Sequence, residues 1–180
     1  TYTAANQWKS AAAMDADGDF VIVWESVNQD GSGYGIYGQR YNNAGTPQGV
    51  EFRVNTTTTN SQRDPAIAMD ADGDFVVTWA SMNQDGQQWG VYARRYNNAG
   101  EPQSGEFLVN TYVASDQEKP AIAMDADGNF VITWESYGQD GTSEGIYAQR
   151  FTNSGAAQGN EFMVSSHMTG IEAIPSVAMD

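Results

Sequence analysis

The sequence predicts an all-β fold of tandem four-stranded antiparallel repeats, the blades of a β-propeller, with three blades complete and the first strand of a fourth begun. Three observations predict it. Met14, Met69, Met124 and Met179 recur at a constant step of 55 residues, and Trp24/Trp79/Trp134, Tyr37/Tyr92/Tyr147 and Phe52/Phe107/Phe162 keep the same step. A fixed period without insertion marks a structural unit that buries its apolar face on its neighbours. Within each period the apolar residues alternate in short runs bounded by Gly, Asp and Asn, and no segment carries a 3.6-residue stripe with caps. Four such runs and one longer connection per period match a propeller blade and its crossover, close to the ~40–50 residues of known blades.

The second copy shows each element in order. Pro65-Ala66-Ile67-Ala68-Met69 alternates as a first strand, Asp70-Ala71-Asp72-Gly73-Asp74 forms a turn, and Phe75-Val76-Val77-Thr78-Trp79 returns as a second. Gly73, like Gly18 and Gly128, stands where a left-handed residue closes a tight loop. A turn at Asn83-Gln84-Asp85-Gly86 leads to a third strand, Gly90 to Tyr96. After the Asn97–Pro102 turn, Glu106 to Asn110 forms the fourth. The polar stretch from Asn110 to Lys119 reads as the crossover, and Pro120 suits a strand head that needs no ladder N–H. Small residues on the first strand (Ala66, Ala68, Ala121, Ala123) suit the crowded strand nearest a propeller axis, while Phe75 and Trp79 suit the widening space between blades.

The expected organisation is a crossover segment at 1–10, blades at 11–65, 66–120 and 121–175, and the first strand of a further copy at 176–180. The β-trefoil and β-prism are rivals with four strands per repeat, but Pro175 to Asp180 repeats Pro120 to Asp125, which a closed three-fold body does not need. The period is too short for an immunoglobulin-like sandwich of ~100 residues and too long for a solenoid turn of ~20–30. Three blades and a strand fall below the four of a closed ring, so the chain is expected either to belong to a longer array or to associate with itself.

Eight Lys and Arg against 23 Asp and Glu leave a net charge of −15, and the sequence pI is about 4.1. Such a chain repels a nucleic-acid backbone, so no nucleic-acid partner is expected. No apolar run approaches the ~18 residues of a membrane span, and no membrane insertion is expected. Cys is absent, which excludes disulfides, thiolate metal sites and a cysteine nucleophile.

The pattern Asp-Ala-Asp-Gly-Asp/Asn-Phe-Val-Val/Ile-x-Trp-x-Ser, then Gln-Asp-Gly, Gly-Ile/Val-Tyr-x-Gln/Arg-Arg-Tyr/Phe and Gly-x-Glu-Phe-x-Val, resembles a repeat of very large secreted or surface proteins of cyanobacteria and marine bacteria. The resemblance covers essentially the whole chain and implies an extracellular or cell-surface setting, with no activity to carry over. Residues Asp17 to Trp24 also resemble the Asp-box turn of sialidases, with Asp15 in place of its leading Ser.

The first candidate site is the acidic turn: Asp15, Asp17 and Asp19; Asp70, Asp72 and Asp74; Asp125 and Asp127 with Asn129. Alternating carboxylates can gather several oxygens around Ca²⁺, yet Gly18 stands at the fourth loop position and no Glu closes the loop, so hairpin chemistry is the competing reading. No cofactor is required, and Ca²⁺ is the candidate ion. Asp30, Asp85 and Asp140 sit in the second turn, which a meander places at the opposite end of the blade. Arg40, Arg95 and Arg150 on the third strand are candidates for capturing an anion, against structural pairing with Glu25 and Glu135 on the neighbouring strand. Tyr34 and Trp89 occupy a variable connection where the third copy has Glu144, and an exposed ring there can stack on a sugar.

No catalytic residue is nominated. His167 is the only histidine and has no Ser or Cys partner in view. Near-identical copies present one surface three times, whereas an active site needs differing groups that converge. The expected function is therefore a non-catalytic, extracellular structural or adhesive module and not an enzyme, with further repeats or copies of itself as partners. A carbohydrate-binding propeller with one weak site per blade, taking surface glycans, is the alternative, and a glycosidase ranks third.

Overall fold

The computed structural model describes residues 4–141, 144–165 and 174–180. The described residues contain strands and turns but no helix. The first sheet runs β1 (Gln7–Met14), β2 (Phe20–Val27), β3 (Tyr34–Tyr41), β4 (Pro47–Arg53), in that spatial order. The second runs β5 (Gln62–Met69), β6 (Phe75–Met82), β7 (Trp89–Tyr96), β8 (Phe107–Leu108), and the third β9 (Gln117–Met124), β10 (Phe130–Tyr137), β11 (Glu144–Phe151), β12 (Phe162–Met163). Every ladder is antiparallel. The predicted meander of β-propeller-like blades is the observed one, with β1, β5 and β9 lying beside one another as the inner strands.

Alternation along the strands puts different residues on the two faces of each sheet, and neighbouring sheets use opposite faces. Val21, Val23, Ile36 and Val54 of the first blade pack on Phe75, Val77, Trp79, Tyr92 and Tyr96 of the second. One period later Val76, Val91 and Val109 pack on Phe130, Ile132, Trp134, Tyr147 and Phe151. Trp79 and Trp134 have no exposed surface. The rings Phe75–Tyr96 and Phe130–Phe151 stack at 4.8 and 5.0 Å.

Register fixes two ends for every blade. Met14 pairs with Phe20 and Tyr41 with Pro47, so the β1–β2 and β3–β4 turns share one end, the hairpin face. Val27 pairs with Tyr34 and Gln7 with Ser26, so the β2–β3 loop and the crossover share the other.

The inner strands begin at Gln7, Gln62 and Gln117, and that of the second copy starts three residues before the expected Pro65. Each contains a register shift, between Trp8 and Ala11 and between Arg63 and Ala66 in the first two, and opposite Thr133 and Glu135 in the third. There the backbone of Lys9, Asp64 and Lys119 turns left-handed, with φ of 45, 56 and 50°. A bulge absorbs the extra residue and lets pairing resume beyond it, which residue-type alternation alone does not reveal. We call this end the bulge face.

Ser176 to Met179, expected as a further strand, forms no ladder with the other described residues. The backbone N–H of Ile174, at φ 62°, nevertheless donates to Glu135 as that of Asp64 donates to Glu25.

Candidate functional site

The hairpin face is the same in every copy. Asp15 Oδ1 accepts the backbone N–H groups of Asp17 and Asp19 at 3.0 and 2.9 Å, and Asp70 and Asp125 do the same for Asp72/Asp74 and Asp127/Asn129. Asp19 Oδ1 accepts from the N–H of Asn43 in the β3–β4 turn, as Asp74 does from Asn98. These bonds follow from a short acceptor side chain in a tight turn. Hydrogen bonding by Asn129 holds the Asp125 carboxyl below its ordinary value, whereas burial pushes that of Asp70 up. Among the described residues, no group of three or more carboxylate, imidazole or thiolate side chains is arranged to hold a metal.

The candidate arginines lie on this face as well. Arg40 pairs in register with Val21, while Glu25 pairs with Ile36 at the far end of the sheet, so the expected Arg–Glu cross-strand pairing does not form. Arg40 instead reaches the next blade, donating to Asn98 O and, at 2.6 Å, to Ala99 O. Arg95 donates to Ser154 O at 2.9 Å, and the equivalent Arg150 is exposed. Arg95 and the acidic turns of Asp70, Asp72, Asp74 and Asp127 thus line one inter-blade crevice of ≈ 480 Å³. Its twin between the first two blades holds Arg40 with Asp15, Asp17 and Asp19.

On the bulge face the copies cease to be alike. The step of 55 residues there relates Trp8, Arg63 and Glu118; Lys9, Asp64 and Lys119; Glu25, Ala80 and Glu135; Tyr34, Trp89 and Glu144; Asn6, Ser61 and Asp116. Inner-strand bulges and β2–β3 loops bring these positions together. The Arg63 guanidinium lies 4.1 Å from the centre of the Tyr34 ring and 5.9 Å from that of Trp89, so two candidates from different blades flank one cation. Lys9 bridges Asp64 and stands 3.7 Å from Glu25. Lys119 Nζ meets Glu135 at 2.9 Å.

Asp116, Glu118, Lys119, Glu135, Tyr137 and Glu144 line a cleft of ≈ 230 Å³. Glu25 and Glu135 are 2% and 5% exposed, so these carboxylates are built into the fold rather than solvated. Burial, then the charges of Asp116 and Asp64, pushes the Glu118 carboxyl above its ordinary value, against the pull of Lys119. The carboxylate partner of Lys119 outweighs its burial and raises the ammonium's affinity for its proton.

Residue-type reasoning passed over Arg63, Asp64, Glu118 and Lys119, and took Glu135 only as an arginine partner. The available signal was the break in the repeat itself. His167 lies outside the described residues.

No family model matches the chain, and no curated protein matches it. Solved structures do. A thermostable family-43 glycoside hydrolase superposes with a TM-score of 0.57 at 10% identity, covering 98% of this chain and 64% of the other. An endo-arabinase from Bacteroides thetaiotaomicron gives 0.52 at 16%, covering 81% and 56%. An endo-1,4-β-xylanase from the same organism gives 0.53 at 10%, covering 88% and 60%. The chain therefore spans a little over half the length of these structures, and at such identities the likeness establishes the fold.

This finding corrects the expectation of a non-catalytic structural or adhesive module that is not an enzyme. The three solved chains named above that share this blade arrangement are an endo-arabinase, an endo-1,4-β-xylanase and a family-43 glycoside hydrolase. The premise behind the expectation also fails, because the repeated copies differ where they converge.

Proposed function

We propose that the chain forms part of a glycoside hydrolase whose active site opens on the bulge face. The observation that carries this reading is Glu118: a carboxyl that holds its proton above the ordinary range, beside further carboxylates, where the internal repeat breaks down. Glycosidic cleavage needs one carboxyl to donate a proton to the leaving oxygen and a second, ionised one to act on the anomeric carbon or on water. Glu118 is the proton donor in this reading, and Asp64, bridged by Lys9, is the second carboxyl.

The surrounding groups orient the pair. Lys119 and Glu135 fix each other in the cleft wall, and the Tyr34–Arg63–Trp89 stack forms a rigid apolar and cationic flank against which a sugar ring can lie. The left-handed backbone of Asp64 and Lys119 supports the reading, since strained residues gather where geometry serves chemistry. The folds of the arabinase, the xylanase and the family-43 enzyme support an arabinan or a xylan as substrate by analogy. An extracellular setting, as the repeat resemblance implies, fits that reading.

The test is release of reducing sugar from arabinan and from xylan. Activity on one of them that falls at least ~100-fold in a folded Glu118→Gln variant supports the proposal. Undiminished activity in that variant, or no release from any of the polymers, overturns it.

A further inference from the structure

Arg63 is a cation without an anion. It stands at the bulge of β5 in the middle blade, which has a blade packed on either side, and it belongs to a chain with eight basic residues against 23 acidic ones. Asp64, next to it in the chain, is bridged by Lys9 instead. Among the described residues no ion pair or hydrogen bond engages its guanidinium: Nε is enclosed and meets no acceptor, and the two terminal nitrogens reach solvent. Arg40, Arg53, Arg94 and Arg95 differ, each donating to a backbone carbonyl.

Strand register accounts for the missing partner. Arg63 pairs across to Ala80 on β6, whereas its equivalents Trp8 and Glu118 pair across to Glu25 and Glu135. The copy that places a cation at this position is the copy that lacks the carboxylate opposite it. A glutamate there would occupy the guanidinium fork. The faces of the guanidinium are covered by rings instead, with the Tyr34 centre at 4.1 Å and the Trp89 centre at 5.9 Å. Two rings from adjacent blades hold the plane of the group and leave its edge, where the N–H groups lie, open to a partner. Bracing the rings explains the covered faces but not the open edge.

We infer that Arg63 is a specificity-determining residue whose open edge takes the carboxylate of a uronic acid on the glycan, so that the substrate is an acidic polysaccharide rather than a neutral one. This rests on the reading of the bulge face as the mouth of a glycoside hydrolase, in which Asp64 is the second carboxyl. A guanidinium and a carboxylate match through two parallel N–H···O bonds, and the flanking rings offer an apolar surface to the sugar that carries the carboxylate. The net charge of −15 repels a polyanion, so the ligand that fits is an isolated uronate branch on an otherwise neutral backbone. Of arabinan and xylan, a xylan branched with glucuronic acid has that chemistry.

The test is binding, measured apart from hydrolysis. Calorimetric titration in the Glu118→Gln background compares a xylo-oligosaccharide bearing one glucuronic acid branch with the same oligosaccharide reduced at that carboxyl to the alcohol. The acid is expected to bind at least ~10-fold more tightly, as a charge-assisted pair allows. Adding Arg63→Gln is expected to bring the acid down to the affinity of the neutral ligand, which itself stays unchanged. Arg63→Lys, which keeps the charge without the fork, is expected to retain part of the preference, and circular dichroism checks that each variant folds. The ratio measured with Arg63 intact decides the matter even where a variant does not fold: equal affinities, or no binding of either ligand, overturn the inference. So does a preference that survives Arg63→Gln, or an equal weakening of both ligands, which assigns the residue to bracing the rings. Hydrolysis by the native chain reports separately. Release of reducing sugar without the preference refutes only the role of Arg63, and the preference without release refutes only the catalytic reading.

Discussion

Glu25 in β2 accepts the backbone N–H of Asp64 in β5 at 2.7 Å, joining the first blade to the bulge of the second through a carboxylate that is 2% exposed. Glu135 holds Ile174 in the same way, while Ala80, at the equivalent junction between the second and third blades, has no carboxylate to offer. One acceptor thus both ties blades together and holds a left-handed residue in place.

Removing that acceptor leaves the part-buried Asp64 N–H without its partner. Glu25→Ala is expected to lower stability by about 1–3 kcal/mol, and Glu25→Gln, which keeps an acceptor oxygen, by less. Urea denaturation of the two variants checks the order, and equal losses mean that the bond to Asp64 contributes little.

The tryptophans of the three copies are identical in sequence and unequal in environment. Trp79→Ala and Trp134→Ala are expected to cost about 3–5 kcal/mol each, because both side chains are fully enclosed between blades. Trp24→Ala is expected to cost less than half as much, because its side chain is only half-buried.

Glu106 ties the crossover to the blade. Burial opposes its ionisation, but hydrogen bonds from Thr56, Thr57 and Gln84 outweigh burial and hold its carboxyl below the ordinary 4.5. A depressed folded value means that its contribution is complete above 4.5 and is lost as pH falls through the folded value. Glu106→Gln is therefore expected to be less stable than the native chain near neutral pH, with the difference closing on acidification below 4.5. A difference that stays constant across that range counts against the assignment.

Glu118 has the opposite sign. Its folded value lies above the ordinary 4.5, so the stability linked to it is present below 4.5 and is lost as pH rises through the folded value. Glu118→Gln is expected to melt at a higher temperature than the native chain near neutral pH, while losing activity. That combination marks a residue held for chemistry at a cost to stability. Equal melting temperatures would remove the electrostatic part of the argument.

Calcium is expected to change the melting temperature by no more than ~1 °C, below the ~2–4 °C that 1 kcal/mol produces in a chain of 150–250 residues. The Oδ1 atoms of Asp15, Asp70 and Asp125 are already engaged by backbone N–H groups of their own turns. A larger rise, reversed by chelator, would assign the ion to the acidic turns.

The sequence by itself determined the repeat length, the four-stranded meander and the β-propeller-like class, because burial on one face of a pleated strand imposes a period of two and a constant step imposes identical units. It also determined that the acidic turns and the Asn83–Gly86 type of turn lie at opposite ends of a blade, since a meander reverses at every turn. Only the tertiary structure decided where Arg40 goes: its partners at Asn98 and Ala99 lie one blade away, and contacts across blades leave no mark in the alternation of either strand. Only the tertiary structure revealed the bulges at Lys9, Asp64 and Lys119, and that Asp64 and Glu135 stand near enough to Glu118 for their charges to act on it. Within the repeat these residues read as scattered departures from a consensus. They become a site because strands far apart in sequence end at the same place in space, and that convergence is a property of blade packing rather than of any one period.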